Sequence, residues 1–109
     1  DDHCAIYEMP LAELVMSALS LAEALVHPER AGKASEFLHS ISGLDLDIAE
    51  ITRETALQLA FVRAASGLKM PDAAVLQLAL ARGASVSTLD AQLAHQSRAH
   101  GLATYTLAR

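Results

Sequence analysis

Cysteine, aromatic side chains and long apolar runs are all scarce in this chain. It has one cysteine and no tryptophan, and its aromatic residues make up only 4% of the sequence. The single Cys4 cannot form an internal disulfide, and it cannot supply the set of thiolates that a structural zinc site needs. No apolar run approaches the ~18 residues that cross a bilayer, and the chain begins Asp1-Asp2-His3 rather than with the basic and apolar stretches of a signal peptide. These absences predict a soluble, cytoplasmic domain with no membrane partner.

Several catalytic signatures are also absent. The sequence contains no glycine-rich phosphate loop and no nucleophile elbow, so chemistry built on either is not expected. Its five histidines include no pair spaced four residues apart on one helix, so a histidine zinc site is not expected either. Tyr7 and Tyr105 are too few and too far apart in the chain to form a stacking platform for bases.

The composition is that of one globular domain with an acidic balance. Hydrophobic residues make up 52% of the 109 residues and charged residues 19%, which is enough apolar material for a single core. The net charge of -5 argues against broad electrostatic binding to nucleic acid. The distribution is uneven, because residues 1–68 contain four basic and eleven acidic side chains, whereas residues 69–109 contain four basic and two acidic ones. Bound metal would neutralise part of the acidic excess, so charge weakens a nucleic-acid interpretation without excluding it.

Short apolar runs alternate with longer segments at helical spacing, which is the pattern of a parallel sheet covered by helices. We therefore expect a single α/β domain over residues 1–109. His27-Pro28 is expected to end the first helix, because the residue before a proline is pushed out of helical geometry. Strands are predicted at 14–18, 44–46, 85–89 and 102–107, and helices at about 20–26, 29–41, 48–66, 70–82 and 90–100.

The longest predicted helix, residues 48–66, carries two apolar stripes. Leu57 and Phe61 form one stripe, beside Glu50 and Glu54. This stripe requires a partner, which can be a neighbouring helix or a second subunit. The other stripe repeats at helical spacing and is expected to face the core. Its members are Ile48, Ile51, Thr55, Leu59 and Val62.

Three acidic residues stand in apolar surroundings near the starts of predicted helices. Glu23 is the only charge in residues 14–26, Asp72 opens a helix whose next nine residues contain one polar side chain, Gln77, and Asp90 directly follows a predicted strand. A charge in apolar surroundings is costly unless it is paired or bound to a metal, and clustered carboxylates suit a hard cation such as Mg²⁺ or Mn²⁺. Strand ends and helix N-termini converge at one side of an open parallel sheet, so we expect the three acids to share one metal site.

Each of these acids also has an ordinary explanation. The segment 20–23 matches a capping box, Asp72 can complement a helix dipole, and Asp90 can be an N-cap. Capping and metal binding are compatible, so both interpretations stay open. Ser17 and Thr88 lie beside the expected site and could orient a ligand or a water, although hydroxyls at strand ends often bind nearby backbone groups instead.

Three segments, taken together and in this order, carry a family resemblance. They are Ser17-Ala18-Leu19-Ser20-Leu21-Ala22-Glu23-Ala24-Leu25-Val26, Gly67-Leu68-Lys69-Met70-Pro71-Asp72-Ala73 and Val86-Ser87-Thr88-Leu89-Asp90. They resemble the PIN-domain ribonucleases, and in particular the VapC-type toxins of bacterial toxin–antitoxin pairs. The similarity extends over residues 14–107, and its specificity lies in the order and spacing of the segments rather than in any single motif.

The resemblance implies a three-layer fold and endonucleolytic cleavage of RNA, with Glu23, Asp72 and Asp90 binding Mg²⁺ or Mn²⁺. It also implies a homodimer and a small antitoxin protein that blocks the site, and the stripe of Leu57 and Phe61 is a candidate contact for either. The family's first strand, which bears a further metal-binding Asp, has no counterpart here. We therefore expect it upstream of residue 1, in which case the domain shown is N-terminally incomplete.

Two alternatives remain beside this interpretation. One is a PIN-like module that binds RNA or protein without catalysis, and the other is an unrelated α/β domain whose acids are helix caps. Basic side chains could contact a phosphate backbone, although solvated surface charge is their default interpretation. These side chains are Arg63, Lys69 and Arg98.

Overall fold

The computed structural model describes residues 14–106, in which short strands alternate with helices. The strands are β1 (Leu14–Ser17), β2 (Leu46–Ala49), β3 (Val86–Thr88) and β4 (Thr104–Thr106). The helices are α1 (Ala18–Arg30), α2 (Ala34–Ser42), α3 (Arg53–Ser66), α4 (Met70–Arg82) and α5 (Ala91–Ala99). The predicted α/β class is confirmed. None of the helices in this part of the chain is both long and apolar enough to span a membrane.

All the strand pairing in residues 14–106 is parallel, as the sequence predicted. Strand β1 pairs with β2, with Ser17 opposite Ala49, and β3 pairs with β4, with Thr88 opposite Thr106. Over the described range the two pairs form separate two-stranded sheets. The strand that the resemblance places upstream of residue 1 lies outside the described residues.

Helix α4 is the centre of the fold. It contacts α1, α3 and α5 as well as β1 and β3. Its alanines allow this close approach, because Ala73, Ala74 and Ala79 are buried without holding neighbouring elements apart. Leu76 of α4 is also buried, and the core residues that other elements contribute around the helix are Leu59, Leu68, Val86 and Leu93. Helix α4, whose first turn contains Asp72, therefore contacts a strand of each sheet.

The predicted helix boundary at His27-Pro28 is wrong, because α1 continues through Pro28 to Arg30. Proline lacks the N–H that donates one helical hydrogen bond and its ring crowds the carbonyl one turn earlier, but its own carbonyl can still accept. The carbonyl of Pro28 still accepts a 2.7 Å hydrogen bond from the N–H of Lys33, and Gly32, with φ of 72°, turns the chain out of the helix. The chain therefore leaves the helix after Pro28 rather than before it.

The predicted helix over residues 48–66 starts too early. Ile48 belongs to β2 and lies opposite Met16, and α3 begins only after Thr52, whose Oγ1 accepts a 3.2 Å hydrogen bond from the N–H of Thr55. The apolar spacing of residue 48 suits a helix as well as a strand, and pairing with β1 decided between them. The core stripe is confirmed for Leu59, which is buried, but not for Ile51, which is exposed.

Candidate functional site

Asp90 lies at the carboxyl end of β3 and caps α5, as its position predicted. Its Oδ1 accepts a 2.8 Å hydrogen bond from the N–H of Leu93. Its own N–H donates to Thr88 Oγ1 over 3.0 Å. The first bond orients the Asp90 carboxylate and the second restrains its backbone, and the cap uses only one of the two carboxylate oxygens.

Asp72 lies in the first turn of α4, half-buried, and interacts electrostatically with Asp90. Burial raises the pKa of the Asp72 carboxyl above its ordinary value, the negative charge of Asp90 raises it further, and the nearby Lys69 ammonium lowers it. A bound cation would offset the repulsion between these two carboxylates, which is stronger where water is partly excluded. Asp72 therefore interacts electrostatically with one of the other two predicted acids, and a metal ion shared between Asp72 and Asp90 stays a prediction.

Glu23 is exposed in the second turn of α1. The predicted capping box at residues 20–23 is wrong, because α1 begins three residues earlier and its N-cap is Ser17. Within residues 14–106, no group of three or more His, Cys, Asp or Glu side chains is arranged to hold a metal ion. A site shared by Glu23, Asp72 and Asp90 therefore stays a prediction.

The two hydroxyls beside the predicted site bind backbone groups. Ser17 Oγ is buried and accepts a 3.2 Å hydrogen bond from the N–H of Leu19. Thr88 Oγ1 accepts from the N–H of Asp90, as described above. Both residues thus position a helix that carries a predicted acid, and a direct role in orienting a ligand or a water stays a prediction.

Comparison with protein families gives one result that covers most of the chain. The family model described as PIN domain matches residues 2–99. The chain belongs to the PIN domain family. PIN domains are generally nucleases, and they generally act on RNA with divalent metal ions. Neither the curated proteins nor the solved structures include a significant match to this chain.

The side chains of Asp72 and Asp90 are chemically compatible with such an ion. Carboxylate oxygens are the ligands that Mg²⁺ and Mn²⁺ prefer. Burial and the negative charge of Asp90 raise the pKa of Asp72, and a shared cation would replace the repulsion between the two carboxylates with attraction. Asp72 also lies at a helix N-terminus, whose partial positive charge favours the ionised carboxylate that a metal ligand needs.

Two of the three basic side chains expected near RNA have structural partners in the PIN domain. Arg63 Nη1 donates a 2.7 Å hydrogen bond to the carbonyl of Leu68, and Arg98 Nη2 donates a 2.9 Å hydrogen bond to Thr106 Oγ1. Lys69 precedes α4 and is close enough to Asp72 to lower its pKa. Lys69 is therefore the one of these three cations that acts on the pKa of Asp72.

Sequence reasoning missed a polar cleft beyond the carboxyl ends of β1 and β2. We use this name for a cavity of about 190 Å³ between these strand ends and helices α3 and α4. A hydrogen bond of 3.0 Å joins Gln77 Nε2 to Gln58 Oε1 in its wall. The only sequence signal was Gln77, the single polar residue in an apolar helix. The lining residues are Ser17, Ala49, Glu50, Thr55, Gln58, Gln77, Leu78, Ala81 and Arg82.

A second, apolar groove of about 470 Å³ lies between α3 and α4 on the other side of the same glutamine pair. Leu57 and Phe61 on its rim are 76% and 75% exposed, so the predicted outward stripe of α3 is confirmed. No charged side chain lines the groove within residues 14–106. It is a surface suited to an apolar partner.

Proposed function

We propose that this PIN domain is a divalent-metal-dependent endoribonuclease that cleaves RNA phosphodiester bonds. The observation that carries the proposal is the half-buried Asp72, whose pKa is raised by its own burial and by the Asp90 carboxylate. Asp72 and Asp90, with Glu23 as the third acid, would hold Mg²⁺ or Mn²⁺. Such an ion, when bound, activates water for attack on a phosphodiester and neutralises negative charge on the reacting phosphate.

The protein's own residues position the acidic side chains and supply a positive charge beside them. The cap on α5 holds one oxygen of Asp90, so the other oxygen is presented in a fixed orientation. Asp72 is held by α4, which is packed on both sheets, and Lys69 adds a positive charge one turn before it. A substrate phosphate next to the acids would lie close to the Lys69 ammonium group, and the attraction between them would favour binding of the RNA backbone.

The biological setting that fits this activity is a toxin of a type II toxin–antitoxin pair that acts in the cytoplasm. The resemblance to VapC-type toxins supports this part of the proposal. The exposed Leu57 and Phe61, with the uncharged groove beside them, support a protein partner, which would be a second copy in a homodimer or the antitoxin.

The proposal predicts cleavage of RNA that depends on Mn²⁺ or Mg²⁺ and stops with EDTA. Asp72→Asn and Asp90→Asn should each reduce the cleavage rate by about 100-fold or more, the scale of losing one ligand or its support in a metal site. Asp45→Asn, a change at an exposed acid, is the matched control and should cleave like the wild type. Gel analysis of a labelled RNA reads the rates, and equal cleavage by all three variants would refute the assignment.

A second candidate is a PIN-like module that binds RNA or protein without catalysis. The exposed position of Glu23, and the absence of a three-ligand group within residues 14–106, favour this alternative. It predicts RNA or protein binding with no metal-dependent cleavage and no stabilisation by Mn²⁺.

A further inference from the structure

The polar cleft lies where parallel sheets place ligands. Ser17 and Ala49 are the last residues of β1 and β2, and both line the cleft. Crevices outside the carboxyl ends of parallel strands are the usual ligand sites of open α/β folds. The cleft uses two helices that also carry predicted acids. Ser17 caps the helix that carries Glu23, and Gln77, Leu78, Ala81 and Arg82 lie in the C-terminal half of α4, whose first turn contains Asp72.

The walls of the cleft hold unused hydrogen-bonding capacity. Gln77 is only 7% exposed although it is polar, and its bond to Gln58 leaves the Gln77 carbonyl oxygen and the Gln58 amide nitrogen unused by that contact. The bond that Ser17 Oγ accepts from Leu19 likewise does not use its own hydroxyl proton. Burying polar groups is favourable only when they are hydrogen-bonded, so these walls suit a ligand with both donors and acceptors.

The charges in the cleft disfavour a phosphate as the bound group. Glu50 is an exposed acid in its lining. Arg82, the cation of the cleft within the described range, pairs with Asp47 over 3.3 Å. A carboxylate repels an anion, but it accepts hydrogen bonds readily from the hydroxyls of a ribose, which are uncharged donors. The cleft therefore matches a neutral group that carries several hydroxyls.

We propose that the polar cleft binds a ribose of the RNA chain and recognises its 2′-hydroxyl through Glu50 and Thr55. The proposal rests on the proposed function, since it names the part of an RNA substrate that this side of the domain contacts. The 2′-hydroxyl is the group that distinguishes RNA from DNA. The cleft is thus the source of the preference for RNA over DNA.

The test measures binding without cleavage, in EDTA, with three labelled oligonucleotides of one sequence: RNA, DNA and 2′-O-methyl RNA. The wild type should bind RNA about tenfold more tightly than either of the other two, which is the effect expected for hydrogen bonds to a charged acceptor. Glu50→Gln and Thr55→Val should each remove most of this preference. Thr55→Val retains the side-chain shape and the N–H that donates to Thr52 Oγ1, but it also removes the 3.1 Å hydrogen bond between the two threonine hydroxyls.

Glu54→Gln is the matched control, because Glu54 is an exposed acid in the first turn of α3 that does not line the cleft. Its preference for RNA should equal that of the wild type, and circular dichroism should show the same fold for all variants. Equal affinity of the wild type for RNA and DNA would overturn the proposal. So would a preference for RNA that Glu50→Gln and Glu54→Gln leave equally unchanged.

The two proposals fail separately. If Mn²⁺ produces no cleavage but the preference for RNA is present and requires Glu50, the ribose site stands and the nuclease assignment is refuted. If Mn²⁺-dependent cleavage requires Asp72 but RNA and DNA bind and react alike, the nuclease part stands and the ribose site is refuted.

Discussion

Folding places the Asp72 carboxyl in surroundings that disfavour its ionised form. It is half-buried, it faces the negative charge of Asp90, and the nearby Lys69 offsets only part of this cost, so its pKa is raised. Such an arrangement destabilises the folded protein whenever the carboxyl is ionised. Sites of this kind are often functional, because the strain is relieved when the ligand binds.

Asp72→Asn should therefore stabilise the protein in the absence of metal. At pH 7 we expect a rise in the free energy of unfolding of a few tenths of a kcal/mol to about 1 kcal/mol, the range of partly exposed charge interactions. The Asp72 carboxyl titrates at roughly pH 3.9 in the unfolded protein and at a higher pH in the folded protein. The folded state therefore binds more protons between these two pH values. Wild-type stability should consequently fall, relative to the variant, as the pH rises through this window.

Urea unfolding of both proteins from pH 3 to 8 tests this sign. Added Mn²⁺ should reverse the order at pH 7, by stabilising the wild type and not the variant. A wild type that is the more stable protein at pH 7 without metal would contradict the expectation.

At the level of the helix, Asp90 combines a structural and a chemical role. Its Oδ1 caps α5, and its N–H is held by the Thr88 hydroxyl at the end of β3. Strand β3 therefore places Asp90 at its carboxyl end, and the cap on α5 orients the Asp90 side chain. Asn can replace Asp as a cap, because its side-chain oxygen accepts the same hydrogen bond, whereas Ala cannot.

This difference separates the two roles of Asp90. Asp90→Ala should lower the free energy of unfolding by about 1 kcal/mol through loss of the cap, whereas Asp90→Asn should change it little. Both variants should lose stabilisation by Mn²⁺. Thermal unfolding with and without Mn²⁺ measures both effects, and a Mn²⁺ response in Asp90→Asn equal to that of the wild type would show that the carboxylate is not a ligand.

On the scale of the whole molecule, α4 organises the fold and α3 has two faces of opposite character. Leu59 is buried against the core that α4 centres, whereas Leu57 is 76% exposed two residues earlier. The inner face stabilises the domain. The outer face, with Phe61, leaves apolar surface uncovered.

The same substitution at these two positions should have very different effects. Leu59→Ala should lower the free energy of unfolding by about 2–5 kcal/mol, the cost of a cavity in a core. Leu57→Ala should change it by no more than about 0.5 kcal/mol. Urea unfolding compares the two directly, and similar losses would mean that the outer face is covered, as in a dimer that is stable under the assay conditions.

Local features of the sequence were sufficient for the class of the fold and for several element ends. Gly67 and Gly83 end α3 and α4 with φ of 73° and 61°, directly after the helix ends predicted at residues 66 and 82. The cap at Asp90 was also predicted. These features depend on neighbours in the chain, so the sequence alone specifies them.

Only the tertiary structure decided the features that depend on distant residues. Ile48 belongs to β2 because it pairs with β1. Asp72 interacts with Asp90, which follows β3, because α4 contacts that strand. Gln58 and Gln77 are hydrogen-bonded to each other from two different helices. The polar cleft is invisible in the sequence for the same reason, since its lining is assembled from two strand ends and two helices. Periodicity reports which face of an element is apolar, but the partner of each face is selected by packing.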